Sequence, residues 1–152
     1  MVEKNGPAGR ERLTEELLER LLAARTPEAY LDEGLTIERE LPDYLRELLT
    51  KRGLKRADVV RASGLNGTFV YDVFAGKSRL SRDNALMLAF GLRCDLRETQ
   101  RLLRLDGVAE LWPKVRRDAI LIWCVEHGRN RVEADDELYA LGEKPLLGTG
   151  PL

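Results

Sequence analysis

The stretch Leu54-Lys-Arg-Ala-Asp-Val-Val-Arg-Ala-Ser-Gly-Leu-Asn-Gly-Thr-Phe-Val-Tyr-Asp-Val-Phe-Ala-Gly-Lys77 decides the fold. Apolar residues recur in it at helical spacing on both sides of Gly64-Leu65-Asn66. Gly64 suits the positive φ of a tight turn. Leu65 is apolar and fits the angle between two helices, and Asn66 can cap the second through its side-chain oxygen. The reading is a helix over 56–62, a turn, and a helix over 66–75 ended by Gly76. Val59, Val60, Val70 and Val73 fall on the inward faces.

The same punctuation extends outward. Leu13, Leu17, Leu18, Leu21 and Leu22 predict an amphipathic helix over 12–24, and Thr26-Pro27 starts a short one. Pro42 opens a helix that Gly53 stops. Ser81 caps a helix over 82–90, and Asp95 with Glu98 forms a capping box for 96–105, which Gly107 ends. Pro113 starts a helix reaching His127, and 132–141 forms the last. No strand pattern appears, so the class is all-α. Its expected architecture is a five-helix domain over 41–106. An N-terminal helical extension covers 12–40 and a C-terminal one covers 107–144. Residues 1–11 read as a disordered tail and 145–152 as a flexible one.

Composition narrows the function. Of 152 residues, 43% are hydrophobic and 34% charged, enough for both a core and solubility. The net charge of −1 conceals a pattern. Residues 43–105 hold thirteen Lys/Arg against seven Asp/Glu, whereas 1–42 hold six against ten and 106–152 six against nine. A basic middle between acidic flanks points a polyanion at the middle. Cys94 and Cys124 are too far apart for a redox or metal pair and sit among apolar neighbours, as buried thiols of a cytoplasmic protein would. The longest apolar run, Ala119 to Val125, falls far short of a membrane span. Its apolar residues face all sides, so other elements or a second copy must cover it. Trp112 and Trp123 read as core residues of this region. Asp135-Asp136-Glu137 reads as an acidic start to the last helix, and His127 as its predecessor's end. Arg97, Arg101 and Arg104 read as a solvated helix face. No phosphate-binding glycine loop, nucleophile elbow or carboxylate pair is present, so neither enzyme activity nor a cofactor or metal is expected.

The segment Gly64-Leu65-Asn66, with Thr68, Val70 and Gly76-Lys77, resembles the helix-turn-helix family of Cro and the phage repressors, the XRE-like bacterial regulators. The likeness covers about residues 41–106 and implies a five-helix, lambda-repressor-like helix-turn-helix domain there. It is closer to a subgroup with helical extensions on both sides, through Ser81-Arg-Asp, Glu98-Thr-Gln-Arg-Leu-Leu103, Pro113, Arg116-Arg117-Asp118-Ala119 and Glu126-His127-Gly128. The resemblance implies a DNA-binding transcriptional regulator of the nucleoid, commonly dimeric, with helix 66–75 in the major groove. It implies a phosphate contact from Arg56, where the family usually has Gln. Base reading falls to Asn66, Gly67, Thr68, Tyr71 and Asp72, and backbone contacts to Lys77 and Arg79. One feature departs from the pattern: no Lys or Arg lies between Asn66 and Ala75. Tyr71 and Phe74 make that helix aromatic, which also suits a helix-turn-helix fold used as a protein-interaction module without DNA. The terminal helices are the expected surface for such a protein partner.

Overall fold

A computed structural model of the chain describes residues 7–36 and 40–147, with side chains from residue 15 onward. Within them lie nine helices and no strand, so the protein is all-α. The contacts divide the chain at residues 38 and 39.

The N-terminal unit holds α1 (Pro7–Ala23) and α2 (Pro27–Leu31). Helix α1 begins five residues before the expected start, so residues 7–11 belong to it rather than to a tail. Pro7 at the first helical position, with φ already set, accounts for this. Residues 1–6 of the expected tail lie outside the described residues. Thr26 caps α2 by accepting from the Ala29 amide at 3.1 Å, and Tyr30 is buried. Arg20 pairs with Glu33 at 3.5 Å, while Leu18, Leu22 and Leu31 stay exposed.

The second unit is built around α6 (Arg82–Gly91), in which every residue from Ala85 to Gly91 is buried. Against it pack α4 (Arg56–Ser63), α7 (Leu96–Asp106) and α9 (Arg131–Ala140). Helices α3 (Leu41–Arg52) and α5 (Gly67–Phe74) close one side of the core, and α8 (Arg116–Glu126) pairs with α9 on another. The C-terminal extension therefore shares one compact unit with residues 41–106. Helix α4 comes very close to α6. A Cβ on Gly91 would lie 2.9 Å from Ser63 Cβ and 3.0 Å from the Val59 carbonyl oxygen, so only glycine fits there.

Local capping follows the sequence signals. Gly53, Gly64 and Gly107 end α3, α4 and α7 in the left-handed region. Ser81 caps α6, and Asp95 and Glu98 form the box that opens α7. Glu98 does more. Its carboxylate, almost fully buried, also accepts from Lys51 at 2.7 Å and from both Nη atoms of Arg52, tying α7 to the end of α3.

Several expectations in the C-terminal region are corrected. Helix α8 starts at Arg116, not Pro113, because Asp118 accepts from the Trp112 amide at 3.0 Å and holds that segment as a turn. The same carboxylate takes both Nη atoms of Arg82, at 2.9 and 2.7 Å, and Arg117 makes the mirror pair with Asp83 at 2.9 and 3.1 Å. Trp112 and Trp123 are not core residues; they are 58% and 43% exposed. The α8 stretch is covered through Leu121 and Cys124, which are buried, while Trp123 stacks on His127 at 4.0 Å. Asp135 lies inside α9, whose start is instead opened by Asn130 and Glu133 in a capping box. Asp135 accepts from Arg131 at 2.7 Å and from the Leu146 and Leu147 amides. Residues 145–147 are therefore packed rather than frayed, and Leu146 is 3% exposed. Residues 148–152 of the expected tail lie outside the described residues. Both thiols are buried, as expected, and burial pushes both up from the ordinary cysteine value. No described helix is long and apolar enough to cross a membrane.

Two outcomes follow. Gly91→Ala gains helix propensity but forces the α4 backbone away from α6. We expect a net loss of about 1–2 kcal/mol in denaturant unfolding, since overpacking costs more than the roughly 1 kcal/mol that Ala gains over Gly. A stabilised variant would refute the close approach. The second concerns Glu98. Burial pushes its carboxyl up, but hydrogen bonds from Arg52, Lys51 and the Asp95 amide outweigh burial and hold it at about 2, against an ordinary 4.5. A carboxyl depressed by folding stabilises the fold above its unfolded value, and that stability is lost as pH falls from 4.5 towards 2. Unfolding free energy measured across that window is expected to fall less steeply for Glu98→Gln than for the parent.

Candidate nucleic-acid interface

The eight candidate residues lie on α4, α5 and the loop after it. Gly64 at φ 82° ends α4 and turns the chain, and Leu65 packs half-buried against the core. Ser63 braces the turn: its hydroxyl donates to the Val60 carbonyl and accepts from the Leu65 amide, both at 3.2 Å. The turn is covered from one side by α9. A Cβ on Gly64 would lie 3.0 Å from Arg131 Nε, so Arg131 would have to shift, while the positive φ alone favours glycine.

Helix α5 then has two clear faces. Val70, Val73 and Phe74 are buried, whereas Thr68 and Tyr71 point outward, Tyr71 at 45% exposure. Asn66 spends its Oδ1 on the cap, accepting from the Phe69 amide at 3.2 Å, which leaves its amide NH2 for an outside acceptor. Gly67 differs from the others. A Cβ there would meet Val60 at 3.7 Å, so this position faces α4 and offers an outside ligand only backbone. Asp72 is half-buried, and its carbonyl accepts the Lys77 amide at 2.8 Å, which closes the helix.

The cations stand at the two ends of this surface. Arg56 opens α4 and lays its guanidinium 5.0 Å from the Tyr71 ring centroid, joining the two helices by a cation–π contact. Lys77 is exposed and makes no ion pair among the described residues. Arg79 is turned aside: it donates to the Asp106 carbonyl at 3.3 Å and touches Gly107. Asp106 itself is buried, which raises its carboxyl, and one of its oxygens accepts from the Leu80 amide at 3.2 Å. The structure thus groups Arg56 with Tyr71 and leaves Arg79 beside the end of α7. Arg104 pairs with Glu110, and Arg101 lies 5.9 Å from the Tyr44 ring, so these two serve local contacts.

Sequence reasoning missed Arg46. It pairs with Asp43 at 2.9 Å and donates to the Phe74 carbonyl at 3.2 Å, holding the end of α5 from α3. The available signal was the helical spacing of Arg46 and Thr50 on α3, shortly before Arg56. Among the described residues no cluster of His, Cys, Asp and Glu is arranged to hold a metal. Comparison with protein-family models, curated proteins and solved structures gives no match to any of them.

Gly67 provides a direct check on this geometry. Its φ is not left-handed and the added methyl meets only Val60 at ordinary contact distance. Gly67→Ala is expected to stabilise the fold by about 0.4–1 kcal/mol through the unfolded chain. Destabilisation in thermal or denaturant unfolding would contradict the placement.

Proposed function

We propose that the chain is a bacterial transcriptional regulator that binds double-stranded DNA in a sequence-specific way, setting α5 in the major groove. In this reading residues 41–106 form the five-helix domain of the Cro and phage-repressor type. One observation carries it: α5 presents Thr68 and Tyr71 outward on a braced turn, with Arg56 stacked beside them and Lys77 beyond the far end. A helix so presented enters a groove, and cations at its ends meet the two backbones that border it. Tyr71 and Thr68 read base edges, Asn66 donates through its amide, and Asp72 accepts from a cytosine amino group. Arg79 leaves the Asp106 carbonyl to reach a phosphate. A homodimer on paired half-sites fits the family pattern.

The second reading is a protein-interaction module. The absence of Lys and Arg from α5 favours it, as do the exposed aromatic rings of Trp123 and Tyr139 on the C-terminal helices and of Trp112 in the turn before them.

Fluorescence anisotropy with duplex DNA at two salt concentrations separates the two. Three phosphate contacts per protomer give a slope of log affinity against log salt of about −2.7. Between about 50 and 200 mM salt that is a loss of roughly 40-fold per protomer, and roughly two thousandfold for a dimer. Lys77→Ala is expected to weaken all sequences alike and reduce the slope by about 0.9, while Thr68→Ala changes which sequence a random-pool selection recovers. Absence of binding at the lower salt would sink the DNA reading and leave the protein-interaction one.

A further inference from the structure

An open cleft of about 600 Å³ lies between the second half of α3, the start of α4 and the end of α5. Its lining includes Arg46, Leu49, Thr50, Leu54, Arg56 and Phe74. This volume suits a small organic molecule. Two guanidinium groups line it and no carboxylate does; the nearby Asp43 engages one Nη atom of Arg46 from outside the lining. Arg56 donates no hydrogen bond among the described residues, and its guanidinium lies over the Tyr71 ring, a contact that uses none of its N–H donors. Thr50 adds a hydroxyl, and Leu49, Leu54 and Phe74 add apolar wall. A cation would be repelled by this arrangement. A purely apolar ligand would cover the Arg56 donors without satisfying them.

We propose that this cleft is an oxyanion site, taking a phosphate-type group carried on an apolar body and held between Arg46 and Arg56. Planar guanidinium groups match phosphate oxygens in pairs, and the apolar wall takes the rest of the ligand. Both arginines also hold α5, Arg46 at the Phe74 carbonyl and Arg56 at the Tyr71 ring. Occupancy is therefore linked to the set of α5, and by reciprocity whatever engages α5 changes the affinity of the cleft. That last link rests on the DNA reading; the site itself does not. The oxyanion has two sources, a small organic phosphate or the phosphodiester of a bound DNA strand.

The test titrates the full chain with phenyl phosphate and with inorganic phosphate, following the Thr50, Gly53 and Leu54 amides by two-dimensional NMR. Saturable shifts are expected, tighter for phenyl phosphate because of the apolar wall. Arg46→Ala and Arg56→Ala are each expected to weaken binding by about tenfold or more, and Arg61→Ala, whose guanidinium is paired with Asp58 at 2.6 Å, to leave it unchanged. Arg46→Lys keeps the charge and serves if Arg46→Ala unfolds the end of α5. Duplex DNA then separates the sources. If Arg46→Ala lowers the salt slope of DNA binding by about one and phenyl phosphate competes with DNA, the strand supplies the oxyanion. If the slope is unchanged while phenyl phosphate still binds, a small molecule does. Folded variants with no effect on either ligand, or parent protein that shifts with neither, overturn the proposal. Phenyl phosphate binding without DNA binding sinks only the DNA reading. DNA binding with no dependence on Arg46 and no phenyl phosphate binding sinks only the cleft.

Discussion

A helix buried on every side has to be enclosed, and in this protein that helix is α6. From Ala85 to Leu92 every residue is buried, so its neighbours are fixed by the need to cover it. Helix α4 covers it at closest range, through the gap left by Gly91, and α7 and α9 cover the rest. Once α4 is pinned, the turn at Gly64 sets where α5 can go. One face of α5 completes the core through Val70, Val73 and Phe74, and the opposite face is left outside. The exposed surface of α5 is thus a consequence of how α6 is enclosed.

Ion pairs hold the surrounding helices in register. Arg82 with Asp118 and Asp83 with Arg117 form two reciprocal pairs that bind the start of α8 to the start of α6. Glu98 serves as both cap and counter-ion. Set against apolar side chains of the same volume such pairs gain little, because removing the charges from water offsets most of their attraction, although losing one charge of a formed pair is costly. Their effect is geometric, since each carboxylate accepts only a few directions of approach and so fixes one relative placement. Arg131 acts similarly at the turn, packing on Gly64 while Asp135 ties it to the chain after α9.

The candidate interface divides its chemistry by position. The outward face of α5 is uncharged apart from Asp72, and its cations stand at the edges. In a complex with DNA this places the sequence-independent attraction on the flanks and leaves discrimination to short polar and aromatic groups between them. Arg56 belongs to both the interface and the adjoining cleft, because its guanidinium lies over the Tyr71 ring and the residue also lines the cleft.

The sequence alone determined where most helices start and stop. Thr26, Asn66, Ser81 and the Asp95–Glu98 pair cap their helices by bonds that span three residues, and Gly53, Gly64 and Gly107 end theirs by a local φ. Such bonds close within one turn of chain, so the residue types suffice to predict them. Tertiary structure decided the rest. It paired Arg56 with Tyr71, turned Arg79 toward Asp106, exposed Trp112 and Trp123, moved the start of α8 to Arg116 and anchored Leu146 on Asp135. Arg79 meets Asp106 across 27 residues, and the Arg56–Tyr71 contact and the exposure of the two tryptophans depend on packing that only the path of the chain brings together. The Leu146 anchor spans eleven residues, which is still beyond the reach of helical periodicity. A side chain's own type states what bond it can make, but which partner arrives is settled by how α6 is enclosed.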